Sequence, residues 1–441
     1  MTKCDEAISL NPGWGRAHLL RAVCFQDMEE YDKALADSER AVELDRTSAA
    51  PLFVRASIKR DLGDFEGTLA DVEQGIKLAP DGPGPYKLRG NAKQGLGDLK
   101  GALADYTKAI GLAPDYLDAY AARGSVRAEL KDYPGATADF NTVIKLAPED
   151  AAGYSGRGYV FMTMEKYGEA LKEFTRAAEL DPENGQIWAH RAEVKNRTGD
   201  AKGALKDYTK AIELEPGEAE AYVSRSGVRK QTNDAEGALA DLDKAVELTP
   251  EDEETLLERA TLRIATGRHG QAIEDCESAL KVQPDSTLAR FLRGTAHFGL
   301  KEFAEGNADF EHLPGKAEEV YDAPVFLWYG LMKLGKKAEA QAALKNYSKA
   351  EAKKPVTGKV KKTVQFLTDA LSEKSYLATA GNAEVDGLHA LLPGQAQFYA
   401  GLKHLFASDK AGAKACFEKC RNAKELLSFE SQFAAMELGG L

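Results

Sequence analysis

The sequence has no run of about eighteen consecutive apolar residues, which is the length that a transmembrane helix requires. It therefore predicts no membrane-spanning helix. Cysteine is scarce, and five such residues do not indicate a disulfide framework. Basic residues are in deficit, since 58 Lys and Arg stand against 70 Asp and Glu for a net charge of −12. This balance argues against general nucleic-acid binding, which needs a basic surface, although it does not exclude a local basic patch.

Motifs for catalysis or metal binding are also scarce. The seven histidines form no HExxH or similar spacing, and no nucleophile and base pair is identified. Residues 95–101, GLGDLKG, superficially resemble a phosphate loop, but no strand is predicted before them and they fall on a turn between helices. Cys416 and Cys420 could supply two metal ligands, but no second pair accompanies them, so core packing is favoured. We predict no enzyme activity, no cofactor and no metal site.

The dominant feature that is present is a repeat with a fixed period of 34 residues. Proline marks the period at Pro12, Pro80, Pro114, Pro148, Pro182, Pro216, Pro250 and Pro284. Small residues recur at the eighth and twentieth positions of the unit, where two antiparallel helices must approach closely, and aromatic residues recur at the twenty-fourth. The aromatic column is Tyr106, Phe140, Phe174, Tyr208 and Phe310. The period and these columns resemble the tetratricopeptide repeat (TPR), a helix-turn-helix unit.

The resemblance implies an all-α TPR solenoid, a right-handed superhelix with a variant helical C-terminal cap. Residues 1–14 match the second helix of a truncated repeat, so we expect the native protein to continue upstream of Met1. The other predicted regions are eight regular repeats (15–286), a degenerate ninth repeat (287–317), a TPR-like helix pair (318–354), and an irregular connector with a final TPR-like unit and a capping helix (355–441).

Residues 320–441 also resemble the tail of NlpI-like bacterial TPR lipoproteins. The similarity lies in a lysine-flanked helix pair, an irregular connector, the segment FYAGLKHLFASDKAGAKACFEKC and a final helix. Members of that family are envelope adaptors that hold proteases or cell-wall hydrolases, and the resemblance implies such a role here. No lipobox is visible in the sequence. Location stays open between the cytoplasm, by default for the chain as given, and the bacterial periplasm or cell envelope if a signal peptide lies upstream.

Opposite charges recur at two positions of the repeat, an arginine at the seventh and an acid at the twenty-third. The arginines are Arg21, Arg55, Arg89, Arg123, Arg157, Arg191, Arg225, Arg259 and Arg293, and the acids are Asp37, Asp71, Asp105, Asp139, Glu173, Asp207, Asp241, Asp275 and Asp309. A ladder of ligand-binding arginines would not need a matching acid in every unit. We therefore interpret the two columns as structural ion pairs, within one repeat or between neighbours, that set the register of the repeats.

Two further basic features allow more than one interpretation. A second basic column at the eleventh position consists of Lys59, Lys93, Arg127, Lys195, Arg229 and Arg263, interrupted by Phe25 and Phe161. Alkyl stems packed over the core, with the charge in water or on a nearby acid, are favoured over a binding stripe. Residues 333–362 hold ten lysines in an otherwise acidic chain. A solvated helix face is favoured there over docking on anionic lipid or an acidic partner, and whether the segment binds anything stays open.

TPR geometry implies a concave groove lined by first-helix positions 2, 5, 9 and 12. In this sequence the groove would comprise Phe53, Ser57, Arg60, Lys87, Asn91, Gln94, Ser125, Tyr159, Met162, Asn196 and Lys230. Such a mixed polar and apolar lining suits an extended peptide or a helix of a partner protein. The sequence thus predicts a noncatalytic scaffold or adaptor for protein partners, of unknown oligomeric state.

The same first-helix positions also indicate whether the chain has the binding sites of other TPR proteins. Lys87 and Asn91 match two positions of the clamp with which TPR cochaperones hold chaperone carboxylates, but Ala122, Ala152 and Gly156 place no donors at the remaining ones. A chaperone clamp is therefore not predicted. Two alternatives stay open, namely an NlpI-like envelope adaptor and the regulatory region of a larger enzyme that is truncated at Met1.

Overall fold

The protein is described from a computed structural model, which covers residues 2–313, 323–351, 358–368, 373–377, 393–422 and 429–439. These residues form 26 α-helices and contain no strand, so the predicted all-α, helix-turn-helix architecture is confirmed. The chain divides into two compact units, Met1–Glu215 and Pro216–Leu441. None of the described helices combines the length and the apolar character that a membrane span requires.

Unit 1 (Met1–Glu215) consists of paired helices of nearly constant length. Its helices are α1 (Thr2–Leu10), α2 (Gly15–Asp27), α3 (Tyr31–Leu44), α4 (Ala50–Asp61), α5 (Phe65–Leu78), α6 (Pro83–Gly95), α7 (Leu99–Leu112), α8 (Leu117–Glu129), α9 (Tyr133–Leu146), α10 (Ala151–Thr163), α11 (Tyr167–Leu180), α12 (Gly185–Arg197) and α13 (Ala201–Leu214). From α2 onward, each even-numbered helix is the first and each odd-numbered helix the second of a pair.

Unit 2 (Pro216–Leu441) begins in the same pattern and becomes less regular after α18. Its helices are α14 (Ala219–Gln231), α15 (Ala235–Leu248), α16 (Glu253–Ala265), α17 (His269–Val282), α18 (Thr287–Gly299), α19 (Phe303–Glu311), α20 (Ala323–Lys333), α21 (Lys337–Glu351), α22 (Gly358–Leu367), α23 (Glu373–Leu377), α24 (Pro393–Phe406), α25 (Lys410–Arg421) and α26 (Phe429–Leu438). The predicted boundary between residues 317 and 318, and most of the predicted connector, lie outside the described residues.

The turns inside the helix pairs contain a left-handed residue, and in six of the described pairs an aspartate then caps the second helix. In the third repeat Gly97 has φ of 79°, and Asp98 follows as the N-cap of α7. Its carboxylate accepts a hydrogen bond of 2.9 Å from the backbone N–H of Gly101. A Cβ on Gly101 would lie 2.0 Å from Asp98 Oδ2, so a larger residue there would displace the capping carboxylate. The segment GLGDLKG therefore forms the turn between two helices and the N-cap of the second one.

We expect Gly97→Ala to lower the free energy of unfolding by about 1 kcal/mol, because an L-residue is disfavoured at a left-handed φ of 79°. Gly111→Ala is the matched control, since Gly111 lies inside α7 and a Cβ there meets no atom within 4 Å. That control should gain about 0.5–1 kcal/mol through helix propensity. Urea denaturation measures both, and equal effects of the two changes would contradict the explanation.

Large side chains pack against small ones between the two helices of a pair. Gly90 shows why, since a Cβ on it would lie 2.6 Å from the Cε1 atom of the buried Tyr106 ring. Close packing of this kind leaves no room for an added methyl group. The predicted alternation of small and aromatic columns thus corresponds to direct ring-to-backbone contacts.

The core of unit 2 contains an aromatic cluster that joins its regular and irregular helices. Phe298 on α18 contacts Phe326 and Tyr329 on α20 and Phe433 on α26, with ring centroids 6.4, 5.7 and 6.4 Å away. Burial of such rings contributes most of the apolar area of a core. The C-terminal helix α26 is therefore an integral part of the core of unit 2.

Candidate functional site

Every arginine of the predicted ladder forms an ion pair with the acid of its own repeat, and the shortest N–O distance is 2.5–2.7 Å in all nine pairs. The eight aspartates are buried, with 0–7% of their surface exposed. In most pairs the arginine donates from Nε and Nη2 to the two carboxylate oxygens, as Arg123 does to Asp139 at 3.0 and 2.7 Å. Bidentate bonds of this type are strong and directional.

A second cation shares most of these acids, and it comes from the second basic column. Lys59, Lys93, Arg127, Lys195, Arg229 and Arg263 lie 2.6–3.0 Å from the acid of their own repeat. In the first repeat, Phe25 stands at the position of the second cation. There His18 Nδ1 lies 3.0 Å from Asp37 Oδ1 instead. In the repeat that has Phe161 at the position of the second cation, Arg157 donates to both carboxylate oxygens of Glu173. Of the interpretations that the sequence allowed, pairing with a nearby acid is the one observed.

Burial and hydrogen bonding oppose each other at these carboxyl groups. At Asp71, burial acts to raise the pKa, but the bonds from Arg55 and Lys59 outweigh it and hold the pKa below its ordinary value. At Asp275, burial prevails and the pKa is raised in spite of Arg259. The cations therefore offset a desolvation cost that the buried carboxylates would otherwise carry alone.

Some of the arginines also reach the preceding repeat. The Nη1 atom of Arg157 donates to Asn141 Oδ1 at 2.6 Å, and that of Arg259 donates to Asp243 Oδ1 at 2.9 Å. In each case the acceptor lies on the second helix of the repeat before. One guanidinium thus joins three helices, which is the geometry expected of a side chain that sets register.

The residues of the predicted groove are accessible, and ten of the eleven lie in unit 1. Ser125 and Tyr159 are exposed, and the other nine are half-buried. Several of the polar ones are bonded between first helices of adjacent repeats. Ser57 accepts a bond of 2.9 Å from Gln26 Nε2, and Lys87 Nζ lies 2.5 Å from Asp118 Oδ2. These bonds hold the polar side chains in place before any partner arrives.

Charges among the groove residues are largely compensated. Arg60 Nη2 lies 2.7 Å from Asp61 Oδ1, and Lys230, in unit 2, pairs with Glu258. The amides of Asn91 and Gln94 accept bonds of 2.8 and 3.0 Å from the Tyr106 hydroxyl. Ser125 Oγ donates to the carbonyl oxygen of Ala121 at 3.1 Å. The groove residues therefore do not form a row of unpaired cations.

Apolar exposure in the groove is concentrated on α10. Tyr159 has 45% of its surface exposed and contacts the ring of His190 on α12 edge to face, at a centroid distance of 5.9 Å. Met162 is half-buried and packs on the core cluster that contains Phe174. Asn196, near the end of α12, has an Oδ1 atom that accepts no hydrogen bond within the described part of the chain. An exposed aromatic ring and a half-buried thioether thus lie on the same helix, α10.

The remaining groove residue, Phe53 on α4, packs against the backbone of the next helix. A Cβ on Gly75 would lie 2.3 Å from Phe53 Cε1, so the ring is seated on that glycine. Phe53 is half-buried, so only part of its ring is open to a partner. Phe53 thus has a packing role in addition to its predicted place in the groove.

The structure gives a physical reason against a carboxylate clamp. Gly156 occupies one of the clamp positions, and a Cβ on it would lie 2.1 Å from Phe140 Cε1. No donor side chain fits there without displacing that ring. Lys87, which matches another clamp position, is already paired with Asp118.

Lys333 does not belong to a solvated basic face, because it is paired with an acid. Its Nζ lies 2.7 Å from Glu437 Oε1, and the Tyr329 hydroxyl donates to the same carboxylate, which is buried. Lys336, Lys337 and Lys345 are exposed. The side chains of the other lysines of residues 333–362, from Lys349 onward, lie outside the described residues.

The buried cysteines lack the features of nucleophiles. Burial raises the pKa of the Cys276 thiol to about 12, and it also raises the pKa of Cys416. Cys416 and Cys420 both lie in the core beside Phe417. The structure does, however, bring Cys416 close to Glu373 and His404, a juxtaposition that no sequence spacing predicted.

Comparison with known proteins agrees with the repeat geometry. A family model described as tetratricopeptide repeat matches residues 87–151, 156–219 and 257–310, and a second model of the same description matches residues 15–48. The matched segments are tetratricopeptide repeats. The matched TPR segments lie in both units, and the regular period continues between them.

Solved structures of TPR proteins are similar to parts of this chain. A TPR protein from Parabacteroides merdae is 19% identical with a TM-score of 0.46, over 53% of this chain and 93% of its own. MamA from Desulfovibrio magneticus RS-1 is 26% identical with a TM-score of 0.34, over 38% and 96%. YrrB, described as a TPR protein with an unusual peptide-binding site, is 25% identical with a TM-score of 0.32, over 42% and 95%. Among curated proteins, none matches the sequence.

Proposed function

We propose that the protein is a noncatalytic scaffold that binds a segment of a partner protein along the first helices of unit 1. TPR repeats indicate protein partners in general. The observation that carries the specific proposal is the exposed Tyr159 ring, which contacts His190 and lies one helical turn from Met162 on α10. Aromatic side chains with a polar tip are favoured anchors at protein interfaces.

The compensated charges define the kind of segment that fits. Because Lys87 and Arg60 are already paired with acids, an acidic tail would have to break these pairs to gain its own. An uncharged segment that carries an apolar side chain needs no such exchange. We therefore infer recognition through apolar contact near Tyr159 and hydrogen bonds to the amides, with a weak dependence on salt.

Two alternatives from the sequence stay predictions. The similarity of residues 320–441 to NlpI-like lipoproteins favours an envelope adaptor, and a regulatory region of a larger enzyme is the second alternative. Both alternatives use the same kind of groove for a protein partner. Neither assigns a catalytic residue to the described part of the chain.

The test is affinity selection of a displayed random peptide library on the full chain, followed by fluorescence anisotropy with the selected peptides. We expect Tyr159→Ala to weaken their binding about tenfold or more, since loss of an interface anchor costs about 1.4 kcal/mol or more. Leu146→Ala is the matched control. Leu146 has 43% of its surface exposed, similar to Tyr159, but it ends the second helix α9.

The outcome depends on the comparison between the two variants. Binding that Tyr159→Ala reduces and Leu146→Ala leaves intact supports the groove. Peptides that bind both variants as they bind the wild type would place recognition elsewhere and reject the proposal. Selected peptides dominated by acidic residues, with binding lost at high salt, would reject the inferred uncharged segment.

A further inference from the structure

We propose that Glu373, His404 and Cys416 form a binding site for a divalent metal ion of the zinc class. The three residues lie on three different helices of unit 2, α23, α24 and α25. One carboxylate oxygen, one ring nitrogen and the Sγ atom all lie within 4.8 Å of one another. Oxygen, nitrogen and sulfur donors thus converge on one point.

The imidazole of His404 is oriented by a second carboxylate. Its Nδ1 atom lies 2.7 Å from Asp409 Oδ2, and its Nε2 atom lies 3.0 Å from Glu373 Oε2. A carboxylate on the far nitrogen of a metal-binding histidine fixes the ring and is typical of zinc sites. Asp409 therefore has the place of a positioning residue, with Nε2 directed to the proposed site.

Local backbone structure holds Asp409 in that place. It is the N-cap of α25 and accepts a hydrogen bond of 3.0 Å from the N–H of Gly412. A Cβ on Gly412 would lie 2.3 Å from Asp409 Oδ2 and 2.6 Å from His404 Nδ1. The TPR turn and its glycine thus make room for the contact between the histidine and the aspartate.

The carboxylate, imidazole and thiol ligands favour zinc over calcium or magnesium. Zinc binds cysteine, histidine and carboxylate ligands with bonds of about 2.0–2.3 Å, which places the ligand atoms of a tetrahedral site roughly 3.3–3.6 Å apart. The present separations, from 3.0 Å up to 4.8 Å, require side-chain adjustments of about 1 Å. A thiolate is a poor ligand for calcium or magnesium, which take oxygen ligands. With three protein ligands, the fourth position is left for water or an exogenous donor.

The competing explanation is an ion-paired cluster in which His404 bridges Glu373 and Asp409. Such a cluster needs no thiol, yet Cys416, with only 6% of its surface exposed, presents its Sγ atom to the same point. Metal coordination removes the thiol proton outright, so burial of this cysteine does not prevent binding. A bound ion would fasten the five-residue helix α23 to the final helix pair.

The experiment uses the full chain with Co²⁺ and Zn²⁺ salts as probes. We expect one equivalent of Co²⁺ to give a sulfur-to-cobalt charge-transfer absorption, and Zn²⁺ to displace it. Cys416→Ser should abolish that absorption. Glu373→Gln, at a side chain that is 40% exposed and so tolerant of change, should weaken Zn²⁺ binding. Asp409→Asn should weaken it by about 10–100-fold, as loss of a supporting carboxylate does.

Two control variants separate this site from other donors. Cys4→Ser removes a more accessible thiol in unit 1, and His312→Ala removes an exposed imidazole in unit 2. Both should bind one equivalent of metal as the wild type does. A cobalt absorption that survives Cys416→Ser, or Zn²⁺ affinity unchanged by Glu373→Gln and Asp409→Asn, would reject the metal site. Absence of stoichiometric binding to the wild type would leave the ion-paired cluster as the explanation.

Discussion

Replacing Asp139 with alanine is expected to lower the free energy of unfolding by about 3–5 kcal/mol. The Asp139 side chain is 3% exposed and is bonded by Arg123 at 2.7 Å and by Arg127 at 2.7 Å. Removal of the carboxylate leaves two partly buried guanidinium groups without their shared anion. A buried charge that loses its partner costs far more than the net worth of the pair. Urea denaturation followed by circular dichroism measures the loss.

The chain offers a matched control in the repeat that follows. Glu173 occupies the same position, but its side chain is 16% exposed and Phe161 stands where the second cation would be. Glu173→Ala should therefore cost only about 2 kcal/mol, the contribution of charged hydrogen bonds to one arginine. Equal losses for the two variants would contradict the role assigned to the second cation.

Arg123→Ala examines the same cluster from the cationic side. Its melting temperature should fall, because Asp139 keeps only Arg127 as a partner and the contact from Arg123 to Thr107 of the preceding repeat is lost. An unchanged melting temperature together with lost partner binding would instead make the arginine column a ligand site. That outcome would overturn the structural interpretation of the ladder.

Replacing Phe174 with alanine is the second change with a large expected effect, again about 3–5 kcal/mol. Phe174 is fully buried on α11, packs with Ala170 and Val194, and stacks on His190 at a centroid distance of 5.5 Å. Since each repeat contacts mainly its neighbours, the cavity should destabilise the adjacent repeats first. Hydrogen exchange along the chain would show protection lost between α10 and α12 before it is lost elsewhere in unit 1.

Tyr159→Ala is the comparison for this change. Tyr159 contacts the same His190 ring edge to face, but 45% of its surface is exposed. Its removal should cost less than about 1 kcal/mol of stability, as is usual for exposed positions. A loss as large as that of Phe174→Ala would make Tyr159 a core residue and would weaken its proposed role as a binding anchor.

The period of the sequence was sufficient to predict the helix pairs and much of their packing. Proline and the small and aromatic columns recur at fixed positions because each repeat faces the same neighbours in the same way. The contact between Gly90 and the Tyr106 ring is one example of this packing. Co-occurrence of Arg and acid in every repeat likewise predicted the ion pairs, because an acid would not recur without a structural partner.

The second cation could not be decided from the sequence. Lys195, for example, has a stem long enough to leave its charge in water or to turn it towards an acid, and both choices are compatible with the same spacing. The packing of α12 on α13 decides the matter by placing Asp207 Oδ2 2.6 Å from its Nζ. Desolvation of that aspartate makes the bond favourable, and burial is a property of the folded chain.

The sequence by itself determined the repeated helices, their turns and the matching of arginine with acid, because these features depend on local spacing that the 34-residue period reproduces. Only the tertiary structure decided that Glu373 meets His404 and Cys416, since no spacing rule relates α23 to the final helix pair. Only the tertiary structure, too, showed that the groove lysine Lys87 is already paired with an acid of the next repeat. Contacts between separate helices depend on how the helices pack, and that packing is what the linear pattern leaves undetermined.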